Sequence, residues 1–366
     1  MQTKTLGNGQ LSRLVGSAGF LSRMPGNSLV FPLSIRSSLT FVAVLSSCLL
    51  PVQYSHADSE IAFGLRHSFM HLPGYEDGYG RGPNFEAVGK PTFEAADRLD
   101  STAFAVNGRY MFEQAWLSGG QLFIQGGAMR TEASDTQDEL LTTNADGLAI
   151  RFAFLDGSNG FNVSDALPGD AKLRSEIQHE EINLGLGLQF ERDDWQIRPQ
   201  LGPHWINTDL KNTFQIVGQS GTSPTYARVG RLDEQYRGVR FAIGLSKPIS
   251  GRWKVNANLA YSYLELESDY QASDSRRDDN SGVTDRAEAS DSIDTNTYMA
   301  AIDVSLDYAF TTMWTVALQL GAQYVNDITR IVQPTGSAAS STFEPTRLET
   351  ESGVFYLTGI QLKATF

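Results

Sequence analysis

The chain has 366 residues, of which 41% are hydrophobic, 10% aromatic and 19% charged, and its formal net charge is −13. Such a composition excludes a disordered chain, because it carries enough apolar surface to offset the entropy lost on folding. The acidic balance argues against nucleic acid as a partner, since phosphate binding needs clustered Lys and Arg. A single cysteine excludes a disulfide framework, and no apolar run reaches the ~20 residues of a membrane-spanning helix.

The amino terminus has the pattern of a secretory signal peptide. Residues 1–57 contain four basic and no acidic side chains, and an apolar stretch runs from Leu39 to Val52. Small residues at Ser55 and Ala57 then offer a cleavage site. We therefore expect cleavage after Ala57 and a mature chain of residues 58–366 that forms one barrel domain.

Two alternatives remain open at this end of the chain. Met24 would start a signal peptide of more usual length. Cys48 lies in a loose lipoprotein motif, which would lead to lipidation of this cysteine instead of cleavage after Ala57.

Apolar and polar side chains alternate with a period of two from residue 58 onward, which is typical of strands with one apolar face. Between Tyr298 and Phe310, for example, Ile302 and Val304 alternate with Asp303. Such strands suit a soluble sandwich or a membrane barrel. We favour the barrel, because the polar faces are rich in small residues and poor in charge, as in a confined lumen.

Tryptophan placement also favours a membrane barrel. Four of the five tryptophans lie at predicted short turns, namely Trp116, Trp195, Trp253 and Trp314. Indole rings prefer the membrane–water interface, so we expect these four residues to form one girdle.

The pattern predicts an all-β, transmembrane, antiparallel up-and-down β-barrel of ten strands with both termini in the periplasm. The strands are predicted near residues 60–70, 103–113, 119–130, 177–191, 194–207, 234–247, 251–267, 295–310, 313–328 and 352–366. Long external loops are predicted near 71–102, 131–176, 208–233, 268–294 and 329–351, and the other connections are short.

Two local features qualify this topology. The segment from Leu148 to Phe154 is strand-like and would make twelve strands if it paired with residues near 160–167. Pro199 and Pro203 predict a bulge in the fifth strand, because proline cannot donate to the sheet.

The last strand carries Phe366 on its apolar face as the terminal residue. Such a strand resembles the assembly signal of Gram-negative outer-membrane barrels. This resemblance implies the barrel-assembly machinery as a partner, and outer-membrane lipid and lipopolysaccharide as surroundings. Gly147–Asp156 and Tyr236–Leu264 also resemble the Legionella-type major outer membrane protein family, which implies a pore-forming barrel.

No motif of an enzyme or a cofactor site is present. The chain has no Gly-rich phosphate loop, nucleophile elbow or zinc motif. His179 and His204 lie near the predicted outer ends of facing strands, where they could frame a rim site of an outer-membrane enzyme with Glu181. We favour the alternative that they are solvated rim residues. We expect no catalytic residues, no metal and no cofactor.

Charges on the polar faces are the candidate functional residues. Strand parity points ten of them into the lumen: Arg66, Arg109, Glu113, Glu181, Arg198, Arg240, Lys254, Asp303, Asp307 and Lys363. Ions in a narrow barrel must be paired or hydrated. If the lumen is hydrated, the protein is a narrow pore for ions or small hydrophilic solutes, which is the function we expect. The alternative is a plugged, non-conducting scaffold or adhesin whose external loops recognise a partner.

Overall fold

A computed structural model of the protein describes residues 59–71, 75–81, 87–88, 91–94, 98–116, 119–144, 146–158, 160–219, 225–277, 282, 284–336 and 343–366. The predicted signal peptide, with Met24, Cys48 and the cleavage site after Ala57, lies outside these residues. Within the described part of the chain, no helix is long and apolar enough to cross a membrane.

Ten antiparallel strands close into one barrel. They are β1 (Glu60–His71), β2 (Arg98–Trp116), β3 (Gly120–Leu141), β4 (Gly169–Arg192), β5 (Trp195–Gly218), β6 (Thr225–Ser250), β7 (Trp253–Arg277), β8 (Thr284–Ala309), β9 (Trp314–Val332) and β10 (Arg347–Thr365). Each strand pairs with the next along the chain, and β1 closes the ring with β10. The predicted ten-stranded up-and-down barrel is confirmed. Strand β1 begins and β10 ends on the side of the short turns.

The strand-like segment near Leu148–Phe154 does not enter the barrel. Ile150–Phe152 pairs with Phe161–Val163 and with Tyr79–Arg81 in a separate small sheet. This sheet belongs to the connections between β1 and β2 and between β3 and β4. The ring therefore has ten strands and not twelve.

An apolar band surrounds the outside of the barrel next to the short turns. Leu259, Tyr261, Ile302, Leu320 and Ile360, which come from four neighbouring strands, are all largely exposed. A continuous apolar surface of this kind is unfavourable in water and is stable against lipid. The band is therefore the membrane-spanning part of the barrel.

Aromatic side chains lie at both edges of this band. Trp195, Trp253 and Trp314 are exposed at the short turns, whereas the side chain of Trp116 lies outside the described residues. At the opposite edge, the rings of Tyr261, Tyr298 and Tyr324 follow one another across three strands with centroids 6.0 Å apart. These rows are where the two membrane–water interfaces are expected.

The alternation reverses its phase beyond the outer edge of the band. On β7, the outward residues change from exposed Tyr263 to exposed Glu265, while the inward residues change from Ser262 to buried Leu264. A membrane-spanning strand needs about 9–11 residues, whereas β7 has 25. The outer half of the strand therefore projects beyond the bilayer, with a polar wall towards water and an apolar interior.

The strands are accordingly longer than predicted. Most of the predicted loops at 208–233 and 268–294 lies in β5, β6, β7 and β8, and parts of the predicted loop at 131–176 lie in β3 and β4. The physical reason is the reversal of phase, because the charged outer face of each projecting strand is as polar as a loop.

The predicted bulge at Pro199 and Pro203 is wrong. Strand β5 keeps a single register against both β4 and β6 along its length. Each proline loses its own ladder hydrogen bond without shifting the pairing of its neighbours.

Candidate functional site in the barrel lumen

A polar cavity of about 210 Å³ lies in the lumen behind the membrane-spanning band. Nine of the ten predicted lumen charges line it: Arg66, Arg109, Glu181, Arg198, Arg240, Lys254, Asp303, Asp307 and Lys363. Glu60, the first residue of β1, lines it as well, which places the cavity at the periplasmic end of the lumen. The role of these residues in conduction stays a prediction.

Glu113 does not line the cavity. It is exposed near the periplasmic end of β2. The pairing of β2 with β3 shifts register between Met111 and Ala115. Such an irregularity ends the strict alternation on which the inward placement of Glu113 depends.

Three of the cavity's cations are paired with carboxylates across the lumen wall. The pairs are Arg109–Glu60 at 3.5 Å, Arg240–Glu181 at 3.1 Å and Lys363–Asp307 at 2.8 Å. Each pair joins two different strands, so these charges stabilise one another in a region that water reaches only in part.

A line of side chains connects Ser262, His204 and Glu181 within the lumen. His204 Nε2 lies 2.9 Å from Glu181 Oε1, and His204 Nδ1 lies 2.9 Å from Ser262 Oγ. The Arg240 guanidinium donates to the same oxygen of Glu181 at 3.1 Å. The predicted position of His204 at a solvated rim is wrong, because this residue is fully buried and β5 continues beyond it to Gly218.

This line resembles the nucleophile, base and acid of a hydrolase in residue type. However, Ser262 is 2% exposed and lines neither the polar cavity nor the apolar cavity beside His179. Its hydroxyl is therefore shielded from solvent in this structure, and the three side chains connect β4, β5 and β7.

His179 lies closer than His204 to the extracellular end of the barrel. Its Nδ1 is 3.0 Å from Thr208 Oγ1, and it lines a second cavity of about 60 Å³ whose walls include Ile206, Met299 and Phe355. This cavity is mostly apolar, in contrast to the first one. Among the residues that the structure describes, no group of His, Cys, Asp and Glu side chains is placed to hold a metal ion.

Apolar side chains fill the lumen on the extracellular side of the polar cavity. A first cluster consists of Ile206, Tyr236, Leu264, Leu266, Met299, Val325 and Ile328. A second cluster contains Leu155 together with Ile177, Leu210, Leu232 and Tyr270 of the barrel wall. Leu155 is completely buried, although it comes from the connection between β3 and β4. We call residues 150–158 of this connection the plug segment.

Arg228 on β6 attaches the plug segment to the barrel. Its guanidinium donates to Asp77 Oδ2 at 2.5 Å, to the Ala153 carbonyl at 2.7 Å and to Asp274 Oδ2 at 3.3 Å. The Leu155 amide donates to the same oxygen of Asp274 at 3.0 Å. Arg228, Asp77 and Asp274 are all buried. The plug segment is thus held by charge-assisted hydrogen bonds in addition to apolar contacts.

Burial controls the protonation of this cluster, which lies outside the membrane-spanning band. Burial raises the pKa of Asp77 and of Asp274, and the positive charge of Arg228 opposes this in part. Burial disfavours the charged form of Arg228, but Asp77, Tyr226, Tyr75 and Asp274 together outweigh this and raise the pKa of the guanidinium well above its ordinary value. Arg228 therefore stays charged, and one cation faces two carboxylates that bind protons more readily than usual.

The sequence alone does not reveal this cluster. Asp77, Arg228 and Asp274 all fall in predicted loops, where charged residues are ordinary. The one available signal is that Arg228 continues the inward parity of Leu232, which predicts a buried position if the strand is extended.

The closed antiparallel ring, its outward apolar band and its filled lumen define a β-barrel of the outer-membrane type. No protein-family model and no curated protein matches this chain. The outer membrane protease OmpT from Escherichia coli is similar in structure, with 11% identity, a TM-score of 0.37 and coverage of 85% of this chain and 96% of that chain.

Two further solved structures are similar to the same degree. A Pseudomonas aeruginosa FadL homologue has 11% identity and a TM-score of 0.32, with 84% of this chain and 90% of that chain covered. An outer membrane channel from Pseudomonas putida F1 has 7% identity and a TM-score of 0.30, with 86% and 97% covered. At these levels of similarity, the activity of none of these proteins can be transferred to this chain.

Proposed function

We propose that the protein is an outer-membrane scaffold whose lumen is closed to solutes and whose projecting half presents a surface for recognition. The observation that supports this most directly is the complete burial of Leu155 among apolar side chains of the barrel wall. Conduction needs a continuous polar or hydrated path. Layers of packed apolar side chains interrupt such a path, and the Arg228 cluster holds the plug segment among them.

The outer wall of the projecting half suits recognition of a polar partner. Its β7 face carries Glu265, Glu267 and Asp269, all exposed. On the neighbouring strands, Arg231 pairs with Asp209 at 2.6 Å and with Asp233 at 3.1 Å. A charged wall on a rigid barrel can hold loops and strand ends in fixed positions for a partner.

Recording from planar bilayers with the refolded full chain tests this proposal. We expect no discrete conductance steps for the wild type. Leu155→Asp should produce them, because a charge in the apolar layer recruits water. The matched control is Leu167→Asp, since Leu167 lies in the same connection and is 48% exposed. Discrete steps in the wild type and in the control alike would contradict the closed scaffold.

A narrow pore is the second candidate. The charges of both signs around the polar cavity favour it, as does the resemblance of Gly147–Asp156 and Tyr236–Leu264 to the Legionella-type family. In this case the plug segment has to leave the lumen before ions pass. Conductance that appears in the wild type and grows when Arg228 is replaced would support the pore over the scaffold.

We also propose that the protein is not an enzyme. Ser262 beside His204 is the arrangement most able to contradict this, and an activated serine reacts with fluorophosphonates. We expect no labelling of the refolded protein. Labelling that Ser262→Ala abolishes would indicate a hydrolase instead.

A further inference from the structure

Three cations of the polar cavity have no carboxylate within ion-pair distance among the described residues, namely Arg66 on β1, Arg198 on β5 and Lys254 on β7. Of these, Arg198 and Lys254 lie together. Both donate to one neutral oxygen, Gln196 Oε1, at 3.5 Å for Arg198 and 3.2 Å for Lys254. Arg198 is 8% exposed, so its charge is largely removed from water. A guanidinium has five N–H donors and a positive charge, and one neutral oxygen that it shares with Lys254 satisfies neither in full.

Charges of both signs surround these two side chains. The charge of Arg109 acts on both Arg198 and Lys254, and so do the more distant carboxylates of Glu60 and Asp307. Glu60, the partner of Arg109, is 3.5 Å away from it and 27% exposed, so water weakens that pair. Around the whole cavity, six cations face four carboxylates. The lining of the cavity as a whole therefore carries more positive than negative charge.

The backbone leaves room for the guanidinium along the wall. Arg198 lies directly opposite Gly244 of β6, and a Cβ at that glycine would be 3.3 Å from Arg198 Nε. The cavity in front of these residues has about 210 Å³. Pockets for drug-sized ligands measure ~300–1,000 Å³, so this space suits a small ion. Lys254 is the second residue of β7, which places the cluster near the periplasmic opening.

We infer that Arg198, Lys254 and Arg109 form a binding site for a small oxyanion of the phosphate or sulfate type that enters from the periplasmic end. Guanidinium groups bind such anions through two parallel hydrogen bonds, and the ammonium adds a point charge. The anion offsets the excess of cations over carboxylates in the cavity lining and gives Arg198 and Lys254 acceptors in addition to Gln196 Oε1. The site does not depend on conduction, because it lies on the periplasmic side of the apolar layers.

Titration of the refolded full chain with inorganic phosphate, followed by calorimetry, tests this site. The wild type should bind phosphate saturably. The double variant Arg198→Gln/Lys254→Gln should bind phosphate at least about tenfold more weakly, because two charge-assisted contacts are lost. The matched control is Lys211→Gln, on the exposed outer wall of the same strand as Arg198, and it should bind as the wild type does.

Thermal unfolding supplies a second, independent measurement. Without phosphate, the double variant should unfold at a higher temperature than the wild type, because mutual repulsion is removed. With phosphate, the wild type should gain more stability than the double variant. The site is refuted if the wild type shows no saturable binding or if the double variant binds phosphate as the wild type does. It is also refuted if chloride at equal ionic strength stabilises the wild type as much as phosphate does.

Discussion

Arg228 on β6 and Asp77 in the connection between β1 and β2 form an ion pair of 2.5 Å, with side chains only 2% and 1% exposed. Asp274 of β7 approaches the same guanidinium at 3.3 Å. One arginine therefore ties two barrel strands, an extracellular connection and the plug segment together. Replacing Arg228 should therefore destabilise the whole projecting half of the barrel.

Replacing Arg228 by Met should destabilise the protein more than replacing Asp77 by Asn. The first change leaves two carboxylates buried without their cation, and breaking a buried pair in this way costs about 3–5 kcal/mol. After Asp77→Asn, Arg228 still faces Asp274. The free energy of unfolding of the refolded barrel measures the difference, with limited proteolysis of the projecting half as a second readout.

Arg231→Met is the matched control for this pair of variants. Arg231 lies on the same strand and also contacts two aspartates, but its side chain is 58% exposed. Its loss should cost no more than about 1 kcal/mol, as for other exposed ion pairs. Equal destabilisation by Arg228→Met and Arg231→Met would show that burial of the Arg228 cluster does not matter.

Mild acid should not release the plug segment. Because burial raises the pKa of Asp77 and Asp274, the folded protein binds protons here more readily than the unfolded chain. Their contribution to stability is therefore fully present below the ordinary aspartate pKa of about 4 and is lost as the pH rises through the raised values. The free energy of unfolding should be measured at about pH 5 and about pH 7. The contribution of Asp77 and Asp274 to it should be equal or greater at the lower pH.

The variant Asp77→Asn supplies the comparison for this pH dependence. It removes one of the two titrating carboxylates, so the difference in stability between the variant and the wild type should shrink or change sign as the pH rises. A wild-type plug segment that becomes open to protease at about pH 5, while Asp77→Asn stays protected, would contradict this sign.

Arg240→Glu should disturb the lumen and shift its ion preference. Arg240 is the cationic partner of Glu181, 3.1 Å away. In the variant, a carboxylate takes its place, and two like charges at this distance repel one another. We expect lower thermal stability and, in a conducting background such as Leu155→Asp, a shift of the reversal potential towards cations. Arg237→Glu is the control, because Arg237 lies three residues away on the outer wall and is 58% exposed.

A shift of equal size in both variants would mean that the charge of Arg240 does not act on ions in the lumen. An unchanged reversal potential in Arg240→Glu would have the same meaning. Either result would remove the support that the charged cavity lends to the pore.

Deleting Phe366 should reduce insertion into the outer membrane. Its exposed ring ends the apolar face of the last strand, and its amide donates to the Ser59 carbonyl at 3.1 Å. Phe310→Ala is the control, since Phe310 is an exposed aromatic residue at the end of β8. The amount of folded barrel in the outer-membrane fraction should fall for the deletion only. A similar fall for both would point to lost apolar surface instead of a terminal signal.

The sequence by itself determined the barrel, because the alternation of apolar and polar side chains is a local property of each strand. The sequence also marks where the membrane-spanning band ends on its extracellular side. Adjacent apolar residues at Trp205–Ile206 and Tyr263–Leu264 mark the points where the apolar phase moves from the outer to the inner face. These points are hard to recognise in the sequence, because a polar outer wall and a polar loop have the same composition.

Only the tertiary structure decided which charges meet. Arg228 lies 151 residues from Asp77 along the chain, and no local pattern connects the two. In the polar cavity, Lys363 has Asp307 as its partner, whereas Arg198 and Lys254 share a neutral oxygen. Parity places all of these side chains inside the barrel, but pairing depends on strand register and on distances of a few ångströms between distant strands. Whether a buried charge is compensated or left for a ligand is therefore decided when the ring closes.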